Sequence, residues 1–476
     1  MISKHKMASN VIIVLLAQLV SIIVSFILGL VVPKYIDEYQ YAYWQTFVLY
    51  FGYIGVVAFG LLDGIVLRYS QYDYEELDKH KIAAEFRVLM LWGILVAVSI
   101  CFFASVFLNG EYKYIAILVA VSIVVHLFYS FNYIIFQITN RIRNYSTVVI
   151  IQRVIYALLV ILCLVLKSNC FVWICLSEII GELIGGLISI PKNRGLYLTR
   201  GMTPKETFKE TWLNVSSGIL LMVANFSSNF LIGGAKMVIQ SRWGTLIFGK
   251  VSFSFSVTNL FLTFVTAISV VLFPSLKRMK QEELPQLYSE IRGVISPILF
   301  LALLMYFPVA RILEVWLPKY TESLTYLGVL LPIIIFSSMV NLLTNNYLKA
   351  YRKEKVMLLI NVFCVVLGFG SALACAYIVN NFDLLLFSVV FVIILRSILS
   401  EIIVGRMIDR KGTKDYIMEI LMTITFIVST RYFGLCVGFI IYLCAFIVYV
   451  IVYRQDVFFL LGLMKKLICS KIGKRN

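Results

Sequence analysis

Residues Ser25 to Tyr69 read "SFILGLVVPKYIDEYQYAYWQTFVLYFGYIGVVAFGLLDGIVLRY". Two apolar runs flank one short polar stretch, 33–40, and the second run closes on Asp63 and Arg68. The polar stretch is too short to fold by itself. In a bilayer, however, this pattern is a pair of helices joined by a turn, because about 20 apolar residues cross the hydrocarbon core.

The rest of the chain repeats the pattern. Of 476 residues, 61% are hydrophobic and 14% charged, with a mean hydropathy of +0.93. That composition cannot cover a soluble protein with polar surface. The expectation is an all-α polytopic membrane protein of 12 to 14 spans, with candidates at 10–32, 41–62, 87–108, 114–138, 146–166, 170–190, 212–234, 245–273, 292–312, 324–347, 356–379, 383–405, 416–433 and 434–453. Only the turn around Arg431 and Gly434 divides the last two. The first run is too long for a signal-peptide core and lacks a small-residue cleavage pattern, so it reads as a retained span.

A net charge of +17 does not imply nucleic acid, since no segment between spans is long enough for a soluble basic domain. Lys and Arg gather in the cytoplasmic loops of membrane proteins instead. With the N-terminus inside, 31 of the 42 basic residues fall in segments placed inside and 7 in segments placed outside. Arg153, Lys250, Arg311 and Arg396 fall within spans. The asymmetry predicts both termini in the cytoplasm and an even number of spans. The nine cysteines are scattered through apolar runs, among them Cys101, Cys163, Cys364 and Cys444, with no CxxC. They read as small hydrophobes, and neither a metal nor another cofactor is expected.

The polar connection 191–211 lies near the middle of the chain. It suggests an N-terminal six-helix lobe over 1–205, a second over 206–412, and two further helices with a basic tail over 413–476. A short echo supports a repeat: Lys34 and Lys236 each follow a span, and the next apolar helix begins nine residues later, at Tyr43 and Thr245. Transporters built from repeats hold substrate at the repeat interface.

Polar groups inside spans are costly, so their spacing is informative. In the fourth span His126, Tyr129, Tyr133, Gln137 and Asn140 recur at steps of three and four, on one face. Asn225 in the seventh span and Asn341 in the tenth belong to similar polar stripes. Small polar residues also hold helices together without any ligand. Full charges are different, because they require water, a partner or a polar ligand nearby. These are Arg153, Lys250, Arg396 and the pair Glu178 and Glu182 in "SEIIGELIGG". The two glutamates share a helix face, beside a small-residue strip of Gly181 and Gly185 where another helix can approach. Arg396 near the end of the twelfth span also suits snorkelling to the interface. Asp63 and Arg68 lie about 140° apart around a helix, so they do not make a simple pair on one face. One faces the lobe interior on this reading, and the other anchors at the head groups.

The stretch from Ser25 to Tyr69 resembles the opening of the Wzx-type polysaccharide repeat-unit flippases, members of the multidrug/oligosaccharidyl-lipid/polysaccharide superfamily. The usual glycine of the re-entry is replaced within "DEYQYAYW". "KVSFSFSVTNLFLTFVTAISVVLFPSLKR", Lys250 to Arg278, resembles the family's eighth span. The resemblance implies two six-helix lobes in a V with two extra helices, in a bacterial cytoplasmic membrane. The lobes would rock to carry an undecaprenyl-diphosphate-linked oligosaccharide to the outer leaflet for O-antigen, capsule or exopolysaccharide synthesis. It implies membrane lipids as surroundings, and a polysaccharide polymerase and chain-length machinery as partners.

Residue chemistry fits that cargo. A diphosphate needs cations in a partly dehydrated cavity, which Arg153, Lys250 and Arg396 provide. Sugars need the hydroxyl, amide and aromatic groups of His126, Tyr129, Tyr133, Asn225 and Asn341. Glu178, Glu182 and Asp63 are candidates for ion coupling, and Arg68 for an interface or gate. Three alternatives differ in chemistry. A multidrug/cation antiporter of the same superfamily would favour acidic cavity residues, and a lipid II or teichoic-acid translocase would differ in its glycan. A membrane polysaccharide polymerase or ligase would carry a large outside loop, which this chain lacks. The chain is therefore expected to transport and not to catalyse.

Overall fold

A backbone in lipid satisfies its N–H and C=O groups inside its own helix, and this chain does so almost throughout. The computed structural model describes residues 4–199, 202–276, 283–410 and 413–455, and no strand occurs among them. Grouped by contact, the residues form two units. One comprises Met1–Gly233 and Trp243–Ser252, the other Gly234–Arg242 and Phe253–Asn476.

The first unit begins with α1 (Lys4–Phe26), a π-turn (Ile27–Val31) and α2 (Val32–Tyr35). Asp37, in extended conformation, caps α3 (Glu38–Phe51) by accepting the Tyr39 N–H at 3.0 Å. Left-handed dihedrals at Phe59 and Gly60 (φ 48° and 79°) then turn the chain into α4 (Leu61–Tyr69). Next come α5 (Lys79–Phe107), α6 (Glu111–Ile138), α7 (Ile142–Val165), α8 (Phe171–Ser189) and the short α9 (Arg194–Leu198). α5 packs on α6, α6 on α8, and α7 on both α8 and α1.

The packed face of α5 carries Ile82, Leu89, Gly93, Ala97 and Ala104, whereas its open face carries Leu91, Val98, Phe102 and Val106. Both faces are apolar, and the smaller residues are the ones packed. That is how helices associate when lipid replaces water.

α10 (Pro204–Leu276) starts at a capping box, in which the Thr203 N–H donates to Glu206 and the Glu206 N–H to the Thr203 hydroxyl. Its 73 residues exceed by several-fold what one crossing needs. It leaves helical geometry at Gly244 (φ 85°, ψ 175°), where only glycine avoids steric cost, and this divides it in two. The first part stays helical through Lys236, so the echo between Lys34 and Lys236 does not extend to the backbone, which breaks at Ile36 and Asp37 in the first case.

The second unit continues with α11 (Leu284–Leu304), α12 (Tyr306–Trp316), α13 (Thr321–Leu330), α14 (Ile333–Ser338), α15 (Asn345–Ala350), α16 (Glu354–Leu373), α17 (Phe382–Met407), α18 (Thr413–Tyr432) and α19 (Leu435–Val452). Pro332 lacks a backbone N–H and stands where α13 and α14 bend apart by 54°. Phe307, Phe426 and Tyr442 meet edge-on or tilted inside this unit, with Phe426–Tyr442 centroids 5.3 Å apart.

Ten helices among the described residues are long and apolar enough to span a membrane, and two bent pairs raise the number to twelve. The chain is a multi-pass membrane protein. α18 is not among the ten, because it carries Lys414, Asp415 and Glu419 in its first two turns.

Candidate functional site

On α6, His126, Tyr129 and Tyr133 meet partners from α7 and α8, whereas Gln137 is exposed and Asn140 lies beyond the helix end. Gly181 and Gly185 let those helices close together. A Cβ on Gly181 would lie 2.9 Å from the Gln152 carbonyl oxygen, and one on Gly185 2.9 Å from the Tyr129 ring. The approach carries Glu178 and Glu182 of α8 up to α6 and α7. His126 Nδ1 stands 2.9 Å from Glu182 Oε1, and its Nε2 lies 3.1 Å from the Ser130 hydroxyl. The other Glu182 oxygen is buried with no hydrogen-bond partner. Arg153 of α7 reaches Glu178 at 3.9 Å, the long limit of an ion pair, and Gln152 donates to the same oxygen at 3.4 Å.

An aromatic wall adjoins these charges. The Tyr129 and Tyr133 centroids are 5.5 Å apart, and Tyr145 of α7 follows at 5.8 Å. Phe51 of α3 closes edge-on against His126 at 5.3 Å. Asp63 of α4 is half-buried and within electrostatic reach of Tyr133. His126, Tyr129, Tyr133, Arg153, Glu178 and Glu182 thus form one site inside one unit, with Asp63 at its edge. Gln152, Ser130 and Tyr145 join it without having been singled out in the sequence. The i, i+4 spacing of His126 and Ser130, and the adjacency of Gln152 to Arg153, were the available signals.

Other expected site residues lie elsewhere. Lys250 falls in the first unit, next to Gly249, which packs on Ala42 of α3. Arg153 and Lys250 therefore do not come from opposite units, as a repeat-interface site would require. Asn225 is exposed on α10. Asn341 lies in the π-turn Met339–Thr344 of the second unit, where its carbonyl accepts from Asn346 at 3.3 Å. Arg396 does not snorkel: it is 7% exposed, and its Nε donates to Asn361 at 2.9 Å.

Arg68 belongs to a separate network. It donates to Asn214 at 2.8 Å and pairs with Glu210 at 3.0 Å, both on α10, while Lys81 of α5 takes the other Glu210 oxygen at 3.0 Å. Asn214 in turn donates to Glu85 of α5. Glu85 and Glu210 escape a hydropathy reading because both fall just outside the apolar windows. The Asp78 cap of α5 and the "TPKE" capping box of α10 were the signals that both helices start earlier.

A second network unites the other unit. Arg292 of α11, 4% exposed, pairs with Glu401 of α17 and with Glu419 (2.6 Å) and Asp415 (3.4 Å) of α18. Arg410 adds a pair to Asp415 at 2.9 Å. Arg292, Arg410, Asp415 and Glu419 line a cavity of about 80 Å³ with Ser289, Ser296 and Tyr453.

The α6–α8 site offers a guanidinium held at one loose contact, two carboxylates and a row of tilted phenol rings. It can bind an anion at Arg153, hydroxyl groups along the tyrosines, and a proton or small cation at the glutamates.

No protein-family profile matches the sequence, and no curated protein matches it. Solved structures do. The lipid II flippase MurJ in an inward closed conformation aligns with a TM-score of 0.69 at 13% identity, over 94% of this chain and all of that one. A multidrug resistance MATE transporter of the MOP superfamily aligns in its inward-facing conformation with a TM-score of 0.64 at 13% identity, covering 84% of this chain and 98% of its own. The outward-facing MATE conformation aligns at 0.56, also at 13% identity and 84% of this chain, and 95% of that one. The chain has the fold of these transporters.

Proposed function

We propose that this protein is a flippase that moves an anionic, lipid-linked oligosaccharide across a bacterial cytoplasmic membrane by alternating access, with both termini in the cytoplasm. The cargo we infer is an undecaprenyl-diphosphate-linked repeat unit for O-antigen, capsule or exopolysaccharide synthesis, handed on to a polymerase with its chain-length machinery. The observation that carries the reading is the loosely paired Arg153 beside the Tyr129, Tyr133 and Tyr145 wall, within membrane-spanning helices. A guanidinium away from bulk water binds diphosphate far better than an exposed one. Tyrosine rings and hydroxyls suit sugar faces and edges. A fold shared with a lipid II flippase is consistent with a cargo whose tail stays in the bilayer. Glu178 and Glu182 couple return of the empty carrier to an ion.

The test is a knockout followed by complementation. Cells lacking the protein should accumulate lipid-linked repeat units on the cytoplasmic leaflet. The parent chain should clear them, and Arg153→Ala should fail to. Full rescue by Arg153→Ala, or no accumulation at all, would sink the assignment. The unpartnered Glu182 oxygen favours one other reading, export of organic cations. Expulsion of a cationic dye that is lost in Glu182→Gln, with no lipid-linked intermediate, would select it.

A further inference from the structure

The network between α4, α5 and α10 contains a group that the proposed transport site does not use. Glu85 is fully buried. One carboxyl oxygen accepts from the Asn214 amide, and the other, also buried, has no hydrogen-bond donor. Among the described residues no cation lies within ion-pair distance of it. The charged groups facing it are Arg68 of α4, Lys81 one turn earlier on α5, and Glu210 of α10; Tyr69 of α4 is the neutral titratable neighbour. Both cations are committed to Glu210, which uses both its oxygens on them. Arg68 and Lys81 remain about one-third exposed, at 29% and 33%, so their excess charge is solvated. Glu85 has no such outlet.

An ionised carboxylate with an orphaned oxygen in this position carries an uncompensated desolvation penalty. It has two remedies: take up a proton, or draw Arg68 or Lys81 away from Glu210. With the cations on Glu210, the geometry fits the first. We infer that Glu85 is a proton-binding site, and that its occupancy decides whether α4 and α5 clamp α10. With the proton on, Arg68 and Lys81 hold Glu210. When the proton leaves, the carboxylate competes for the same two cations and the clamp on α10 loosens. Lys81 needs only a side-chain swing to change partner, being four residues from Glu85 on one helix face. The inference goes beyond the transport reading and holds for any cargo.

The full chain in lipid nanodiscs, titrated with no substrate present, provides the test. Infrared difference spectra should show a carboxylic-acid carbonyl band that disappears as pH rises. It should be absent from Glu85→Gln and retained in the Glu178→Gln, Glu182→Gln double variant. Glu210→Gln frees Arg68 and Lys81 to reach Glu85, so the band should vanish about one pH unit or more lower than in the parent. Because glutamine imitates the protonated acid, Glu85→Gln should melt as cooperatively as the parent. A band unaffected by Glu85→Gln, an unmoved midpoint in Glu210→Gln, a Glu85→Gln chain that does not fold, or loss of the band on adding sodium at constant pH would each overturn the proposal.

Discussion

At Gly185 the absence of a side chain is what admits the Tyr129 ring, and at Gly181 it admits the Gln152 carbonyl. Gly185→Val should displace Tyr129, separate α8 from α6 and lengthen the His126–Glu182 contact. Overpacking of this kind costs about 1–3 kcal/mol. A thermal melt in detergent should fall accordingly, with transport falling further than stability. Gly195→Ala serves as a control, since its added Cβ would come no closer than 3.4 Å to a neighbour and should be tolerated. Both the glutamate pair and its glycine strip were legible in "SEIIGELIGG", because helical spacing alone puts them on adjoining faces. Which arginine would meet them was not legible. Arg153 lies 25 residues before Glu178, and only the packing of α7 on α8 joins them.

Among elements, α4 and α10 cross with their backbones in close approach. Gly64 packs against the Asn214 backbone and Gly218 against Gly60 and Gly64, so the two helices touch main chain to main chain. Gly64→Val has backbone in its way and no flexible side chain that could yield. It should cost at least the about 1–3 kcal/mol of ordinary overpacking, and it should weaken the Arg68–Glu210 pair, which sits one turn further along α4. Crosslinking between cysteines placed on α4 and α10 would report the separation, and an unchanged yield would count against this reading. The sequence displayed the Gly60-x-x-x-Gly64 pattern in "GLLDG", but the charges beside it drew the reading toward an interface boundary. The spans were legible because lipid imposes a uniform demand for apolar length. Helix starts were less so, since caps and not hydropathy set them at Lys79 and Pro204.

At the scale of the whole molecule, the Arg292 network carries charge into the interior of its unit. Three carboxylates and two guanidiniums converge from α11, α17, the segment after α17, and α18. Removing Arg292 strands buried negative charge, so Arg292→Leu should destabilise the chain by about 3–5 kcal/mol. Adding Glu401→Gln and Glu419→Gln to the same variant should recover much of that loss, which denaturation of the parent and both variants side by side would reveal. A triple variant no better than Arg292→Leu would mean that the arginine acts through packing instead. In the sequence Arg292 opens the apolar run 292–312 and Glu401 lies near the end of the run 383–405. Their meeting depends on tertiary packing across more than a hundred residues, which no local spacing encodes.

That network also bears on how the chain is made. A nascent helix is sorted by how well it partitions into lipid as it leaves the ribosome. α18, with Asp415 and Glu419, is a poor candidate to enter by itself. Its neutralising partner Arg292 has already been synthesised, on α11, and is waiting in the membrane. Insertion of α18 should therefore be assisted by a helix made long before it. With both termini in the cytoplasm, as proposed above, a reporter placed after Tyr432 in an Arg292→Leu chain should shift toward the side where translation occurs, while reporters before α18 keep their positions.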